Sequence, residues 1–109
     1  MVSKVRVDAT ICDNTTTIVV KDIGEGKVSI EIDTNCSSVA HFASLLKDAT
    51  MDDLTDWTNN RILDLASRSG LTTTCLVPTA IFNCAWVELG MISRTLAKEK
   101  SPLCLHFVE

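Results

Sequence analysis

The spacing of the apolar residues changes at "DTN", residues 33–35, and this change constrains the fold more than any other feature of the sequence. Before it, apolar and polar residues alternate, and a period of two predicts β-strands with one buried face. After it, apolar residues recur at three- and four-residue intervals, which is typical of amphipathic helices. Because strands followed by helices are the α+β layout, we expect a sheet covered by helices.

Three antiparallel strands are predicted in the first third of the chain. The first is marked by an alternating apolar set, Val5, Val7, Ala9 and Ile11. A β-branched run at residues 15–20 marks the second strand, and "DIGEG" supplies a turn before alternation resumes at residues 27–33. The pattern therefore predicts two consecutive turns, with Cys12 at the first.

About three helices are predicted after the strands. The first carries an apolar stripe and begins beside Cys36, with Asn35 or Ser37 as its cap: Val39, Phe42, Ala43 and Leu46. Thr50 and Asp53 form a variant of the capping box at the start of the second helix, Asn59 is a candidate restart within it, and Gly70 suits the position just past its end.

The third helix begins near Pro78, which suits a first helical position, and it ends at Gly90 or runs on to Lys98. After Pro102, apolar residues again alternate with other residues, and this predicts a short C-terminal strand: Leu103, Leu105 and Phe107 against Cys104, His106 and Val108. The predicted fold is α+β, an antiparallel sheet of three N-terminal strands plus this C-terminal strand, packed on one side by about three helices. At 109 residues, a single domain over residues 1–109 is expected.

Charge and hydropathy narrow the classes of partner. Fourteen acidic residues outnumber ten basic ones, and no segment clusters basic residues, so we expect no nucleic-acid binding. The N-terminus lacks the apolar run of a secretory signal, and no stretch reaches the roughly 18 apolar residues of a membrane helix. We therefore expect a soluble cytoplasmic protein without membrane contact. The edge strand left by the short C-terminal piece can pair with another chain, so a homodimer and a complex with a different protein are both open interpretations.

The five cysteines are the residues most able to carry chemistry. Their number is odd, so one chain cannot pair them all, and in a reducing compartment such cysteines favour metal binding, redox chemistry or core filling. Cys12 lies at a predicted turn, Cys36 at a helix start and Cys75 just before another helix start. In a two-layer fold these three points can converge at one end of the domain, where helix N–H groups favour thiolate over thiol.

Other interpretations of these residues stay open. Free cysteine is among the most buried residue types, and no two cysteines here have the two- to four-residue spacing of strong metal motifs. Cys84, in the middle of an apolar helix, is expected in the core. His106 is a candidate fourth ligand or a solvated edge histidine, and His41 is expected on the surface.

The order of these cysteines resembles a known family. A hairpin cysteine, then "KVSIEIDTNCSSVAHFASLLK", then a late cysteine before an apolar helix is similar to the iron-sulfur cluster scaffold proteins of the NifU N-terminal type. That resemblance implies that Cys12, Cys36 and Cys75 are ligands of an iron-sulfur cluster or of zinc. The stretch "CLVPTAIFNCAWVELG" also resembles a Cys-Pro-Val-Pro type motif in a small uncharacterised family of archaeal and anaerobe proteins, which implies no activity.

These observations lead to one function hypothesis and two alternatives. The first is a metal or iron-sulfur binding protein with thiolates Cys12, Cys36 and Cys75 and an open fourth position. The alternatives are a thiol redox protein, in which Cys75 attacks and Cys36 or Cys12 resolves, and a non-enzymatic interaction or assembly domain with core cysteines. Because the sequence has no Ser/His/Asp set, phosphate loop or HExxH pattern, no catalytic residue is assigned and an enzyme is disfavoured.

Overall fold

The first three strands form an antiparallel meander, as predicted. The computed structural model describes residues 1–109, and its strands β1, β2 and β3 span Ser3–Ala9, Asn14–Gly24 and Lys27–Thr34. They are adjacent in a four-stranded antiparallel sheet of order β1-β2-β3-β4. Cys12 lies in the β1–β2 turn, where the alternation stops. The α+β class and the antiparallel sheet are therefore confirmed.

The fourth strand is not the predicted C-terminal one. Strand β4 spans Asp48–Thr50 and pairs with the beginning of β3, while residues 101–109 form no helix or strand. Burial of Ala49 and a hydrogen bond from the Ile30 N–H to the Lys47 carbonyl fix β4 beside β3. The prediction of a C-terminal strand was wrong. An alternating pattern forms a strand only where a neighbouring strand pairs with it, and within this chain residues 103–108 have no such neighbour.

The helical half contains five helices: α1 Ser37–Leu45, α2 Met51–Thr55, α3 Arg61–Arg68, α4 Val77–Glu88 and α5 Arg94–Lys100. The predicted second helix is divided because Asn60 caps a new start at α3. Gly90, with φ of 78°, ends the predicted third helix and separates α4 from α5. The predicted capping box of Thr50 and Asp53 is present at α2.

The core lies between one face of the sheet and the helices. Helix α4 packs over β1 and β2, and α1 packs over β3. The largest fully buried side chains come from both layers: Ile18, Val20, Val28, Phe42, Leu46, Ile62, Ile81 and Cys84. The opposite sheet face carries exposed charged residues such as Lys4, Arg6 and Glu31, so helices cover one side only, as predicted. No helix combines the length and the apolar character that crossing a membrane requires.

Glu88, in the last turn of α4, ties this helix to one end of the sheet. Its Oε1 accepts hydrogen bonds from the Ser3 hydroxyl at 2.9 Å and from Arg94 Nη2 at 3.2 Å, and its Oε2 accepts one from the Asp22 N–H at 2.9 Å. The side chain is only 4% exposed. Burial raises the pKa of the Glu88 carboxyl, but the hydrogen bonds from Asp22, Ser3 and Arg94 and the Arg94 charge outweigh it, so the pKa lies below its ordinary value.

We predict that Glu88→Ala destabilises the protein by about 1–3 kcal/mol, because three donors lose their shared acceptor. Urea unfolding followed by circular dichroism measures this change. Asp64→Ala is the control, since it removes an exposed ion pair with Arg68 and should change the free energy of unfolding by less than about 1 kcal/mol. Equal effects of the two substitutions would contradict the structural role of Glu88.

The stabilisation by Glu88 should also depend on pH. Because the folded-state pKa is lowered, the contribution is fully present above the ordinary value of 4.5 and is lost as pH falls through the folded-state pKa. The difference in unfolding free energy between the native protein and Glu88→Gln should therefore shrink below about pH 4.5. Urea midpoints across an acidic pH series measure it, and a constant difference would be inconsistent with a lowered pKa.

Candidate thiol site

Cys12 is exposed in the turn between β1 and β2. Its N–H donates a hydrogen bond to the Ala9 carbonyl at 3.1 Å, and the next residue, Asp13, has φ of 56°. This left-handed conformation at Asp13 reverses the chain into β2, since Asp is one of the residues that tolerates it. The prediction that Cys12 lies in a turn is confirmed, and its thiol is not buried against the core.

Cys36 is the N-cap residue of α1. Its N–H donates to Thr34 Oγ1 at 3.1 Å, and its half-buried side chain packs against the core. The predicted cap, Asn35 or Ser37, was wrong, because Asn35 Oδ1 instead accepts the Thr15 N–H at 2.9 Å. That bond joins the start of α1 to the start of β2 and leaves α1 without a side-chain cap.

Cys75 lies in the loop that leads into α4, one residue before the N-cap residue Leu76. Its N–H donates to the Thr72 carbonyl at 3.0 Å, and its half-buried side chain packs against the core. Pro78 falls in the first two positions of the helix, where its missing N–H leaves no helical bond unmade. The predicted position of Cys75 just before a helix start is confirmed.

The direction of α4 sets which end of the sheet Cys75 occupies. Cys84 Sγ lies 4.0 Å from the Ile18 carbonyl oxygen, and one helical turn later Glu88 accepts the Asp22 N–H. Helix α4 therefore runs in the same direction as β2, and its start lies toward the start of that strand. We call this end of the domain the hairpin end, comprising the β1–β2 turn, the start of α1 and the start of α4.

Cys12, Cys36 and Cys75 all belong to the hairpin end, but the structure does not gather them into a coordination sphere. No three His, Cys, Asp or Glu side chains are arranged to hold a metal ion. Cys36 and Cys75 are half-buried, whereas Cys12 is exposed. Binding of one ion by all three thiolates therefore stays a prediction.

The other candidates lie elsewhere. Cys84 is 1% exposed, and burial raises the pKa of its thiol to about 11, so its predicted core position is confirmed. His41 is exposed, as expected. His106 lies beside Cys104 in the exposed C-terminal segment, with 3.0 Å between its Nε2 and the Cys104 Sγ.

Two polar arrangements were missed from the sequence. The Glu88 network joins residues far apart in the chain, and its only local signal is a single acid at the end of an apolar helix. The pair of Cys104 and His106 had a visible signal, because both occupy the same positions of the alternating C-terminal pattern.

The fold and the hairpin end define a small α+β protein with three cysteines at one end of its sheet. Residues 3–100 match the model of a family of unknown function, DUF6951, and the chain belongs to that family. No curated protein and no solved structure matches the chain. The prediction that the chain belongs to an uncharacterised family is thereby confirmed, while the match does not bear on the predicted motif or on the resemblance to scaffold proteins. The matched region contains the hairpin end, whereas Cys104 and His106 lie beyond it.

The five thiols should differ in their reaction with iodoacetamide in the folded protein. We predict that exposed Cys12 and Cys104 are alkylated first and that buried Cys84, whose pKa is about 11, is not alkylated until the protein unfolds. Peptide mass spectrometry after timed quenching measures each site, and a sample in urea gives the unfolded reference. Alkylation of Cys84 as fast as Cys12 would contradict the described core.

Proposed function

We propose that this protein is a small cytoplasmic protein that binds zinc or an iron-sulfur cluster through the thiolates of Cys12, Cys36 and Cys75. The observation that carries the proposal is the shared position of these residues at the hairpin end. The Thr15–Asn35 hydrogen bond and the direction of α4 bring three segments from distant parts of the chain to that end. Packing completely buries none of the three thiols.

The chemistry of the three thiolates favours zinc or an iron-sulfur cluster over other metal ions. Thiolates suit zinc and iron-sulfur clusters and do not suit hard cations such as magnesium or calcium. The start of α1 adds N–H groups without a side-chain cap, and free N–H groups at a helix start attract negative charge. Three protein ligands leave a fourth position for an exchangeable ligand.

The two half-buried thiols and the exposed thiol have different roles in this proposal. Cys36 and Cys75 are held by hydrogen-bonded backbone and by contact with the core, so they form the fixed part of the site. Cys12 lies in a short turn outside the sheet ladder and supplies the adjustable ligand.

A scaffold role is the finer form of the proposal and rests on the resemblance to NifU N-terminal type proteins. In both, the cysteines follow the order of hairpin, helix start and late helix. The neighbours differ, since Asp13 directly follows Cys12 and Ser37 follows Cys36, where the scaffold family has glycines near these cysteines.

The test is metal and sulfide analysis, with an ultraviolet-visible spectrum, of untagged protein purified without oxygen. We expect near-stoichiometric zinc, or iron with sulfide, and a sharp loss in each of Cys12→Ser, Cys36→Ser and Cys75→Ser. Each variant is made in a Cys104→Ser background, and Cys104→Ser alone is the reference, because that exposed cysteine lies outside the hairpin end and is itself a metal donor.

Unchanged metal content in all three single variants would contradict the proposal. Absence of metal together with a disulfide between two of these cysteines, mapped after mild oxidation, would favour the redox alternative instead. In that reaction two thiols lose two electrons and two protons to the added oxidant as the S–S bond forms.

A further inference from the structure

The C-terminal segment, residues 101–109, is unusual because it carries exposed apolar side chains and belongs to no helix or strand. Leu103, Leu105 and Phe107 are 78%, 72% and 79% exposed. No backbone hydrogen bond involves residues 102–109, so their N–H and C=O groups are free to form a strand ladder. The segment also lies beyond the residues that match the family, and its role is therefore separate from that of the hairpin end.

Cys104 and His106 form a pair of metal donors within this segment. Cys104 Sγ and His106 Nε2 lie 3.0 Å apart, and both side chains are exposed. In a strand, residues two apart project to the same side, so these donors stay together when the segment pairs as a strand. On a tetrahedral zinc ion, sulfur and nitrogen ligands lie about 3.5 Å apart, given bonds of about 2.3 and 2.0 Å. A small side-chain rotation thus admits the ion.

This pair offers two of the ligands that a structural zinc site needs. Zinc in structural sites takes four ligands, and no third His, Cys, Asp or Glu of the chain joins the pair. A second copy of the same segment supplies the missing donors if two segments pair as antiparallel strands centred on Leu105. In that register each Cys104 lies opposite the His106 of the other copy, about 4.5–5.5 Å apart at Cβ.

We propose that the C-terminal segments of two copies pair in this way and bind one Zn²⁺ through Cys104 and His106 of both. The four donors share one face of the two-stranded ribbon, and Leu103, Leu105 and Phe107 of both copies share the other. The contact is isologous, as a two-fold dimer requires. Pairing also satisfies the backbone groups that face the other copy and lets the two sets of apolar side chains contact each other.

The experiment is sedimentation velocity of the full chain in a non-chelating buffer with a reductant, with added ZnCl₂ and then with excess EDTA. We expect a zinc-dependent dimer that EDTA dissociates. Because each copy loses a direct ligand, Cys104→Ser and His106→Ala should each weaken zinc-dependent dimerisation by at least about 100-fold. Both residues are exposed and outside every helix and strand, so these variants should fold normally.

Cys12→Ser is the matched control and separates this site from the hairpin end. It should retain the zinc-dependent dimer, with one dimer-linked zinc per two chains. A native protein that stays monomeric with zinc would overturn the proposal, as would one zinc bound per isolated chain by the pair. Loss of the dimer in Cys12→Ser but not in Cys104→Ser would also overturn it, by assigning the dimer to the hairpin end.

Discussion

Helix α4 lies along β2 with its apolar side against Ile18 and Val20, both fully buried. Each such branched side chain contributes about 1.5–3 kcal/mol when it leaves water. The direction of α4 along β2 decides which end of the sheet receives Cys75 and which receives Glu88. Both the candidate thiol site and the opposite polar network depend on this one packing contact.

The two ends of the sheet differ in how many of their polar groups have hydrogen-bond partners within the chain. At the Glu88 end, a buried carboxylate accepts from Ser3, Asp22 and Arg94, and no buried side-chain nitrogen or oxygen in the chain lacks a hydrogen-bond partner. That end has a structural role, because both oxygens of the Glu88 carboxylate already accept hydrogen bonds. At the hairpin end, the Cys12 side chain is exposed and the start of α1 has no side-chain cap. The proposed metal site is therefore assigned to the hairpin end.

Local signals predicted much of this architecture. The β1–β2 turn, the Thr50–Asp53 capping box and the glycine end of α3 depend on residues close in sequence, and each was found as expected. The end of α4 at Gly90 is one of the two alternatives that the sequence left open. The positions of Cys12, Cys36 and Cys75 relative to these elements followed from the same signals.

What the sequence did not predict depends on distant partners. Strand β4 is too short to show a period and exists because it lies beside β3. The C-terminal segment has the period of a strand but no neighbour within the chain. The Glu88 network joins β1, β2 and α5 to α4, and no pattern along the chain reports such a meeting.

The account depends most on whether three thiolates of the hairpin end bind one metal centre. The most direct measurement is X-ray absorption spectroscopy at the metal edge of the metal-loaded Cys104→Ser variant, which counts sulfur ligands without a contribution from the C-terminal pair. For a zinc-loaded sample, the account predicts three sulfur ligands and one lighter ligand. For iron with sulfide, it predicts cysteine sulfur that decreases in Cys75→Ser. A metal surrounded by nitrogen and oxygen alone, or no retained metal, would contradict it.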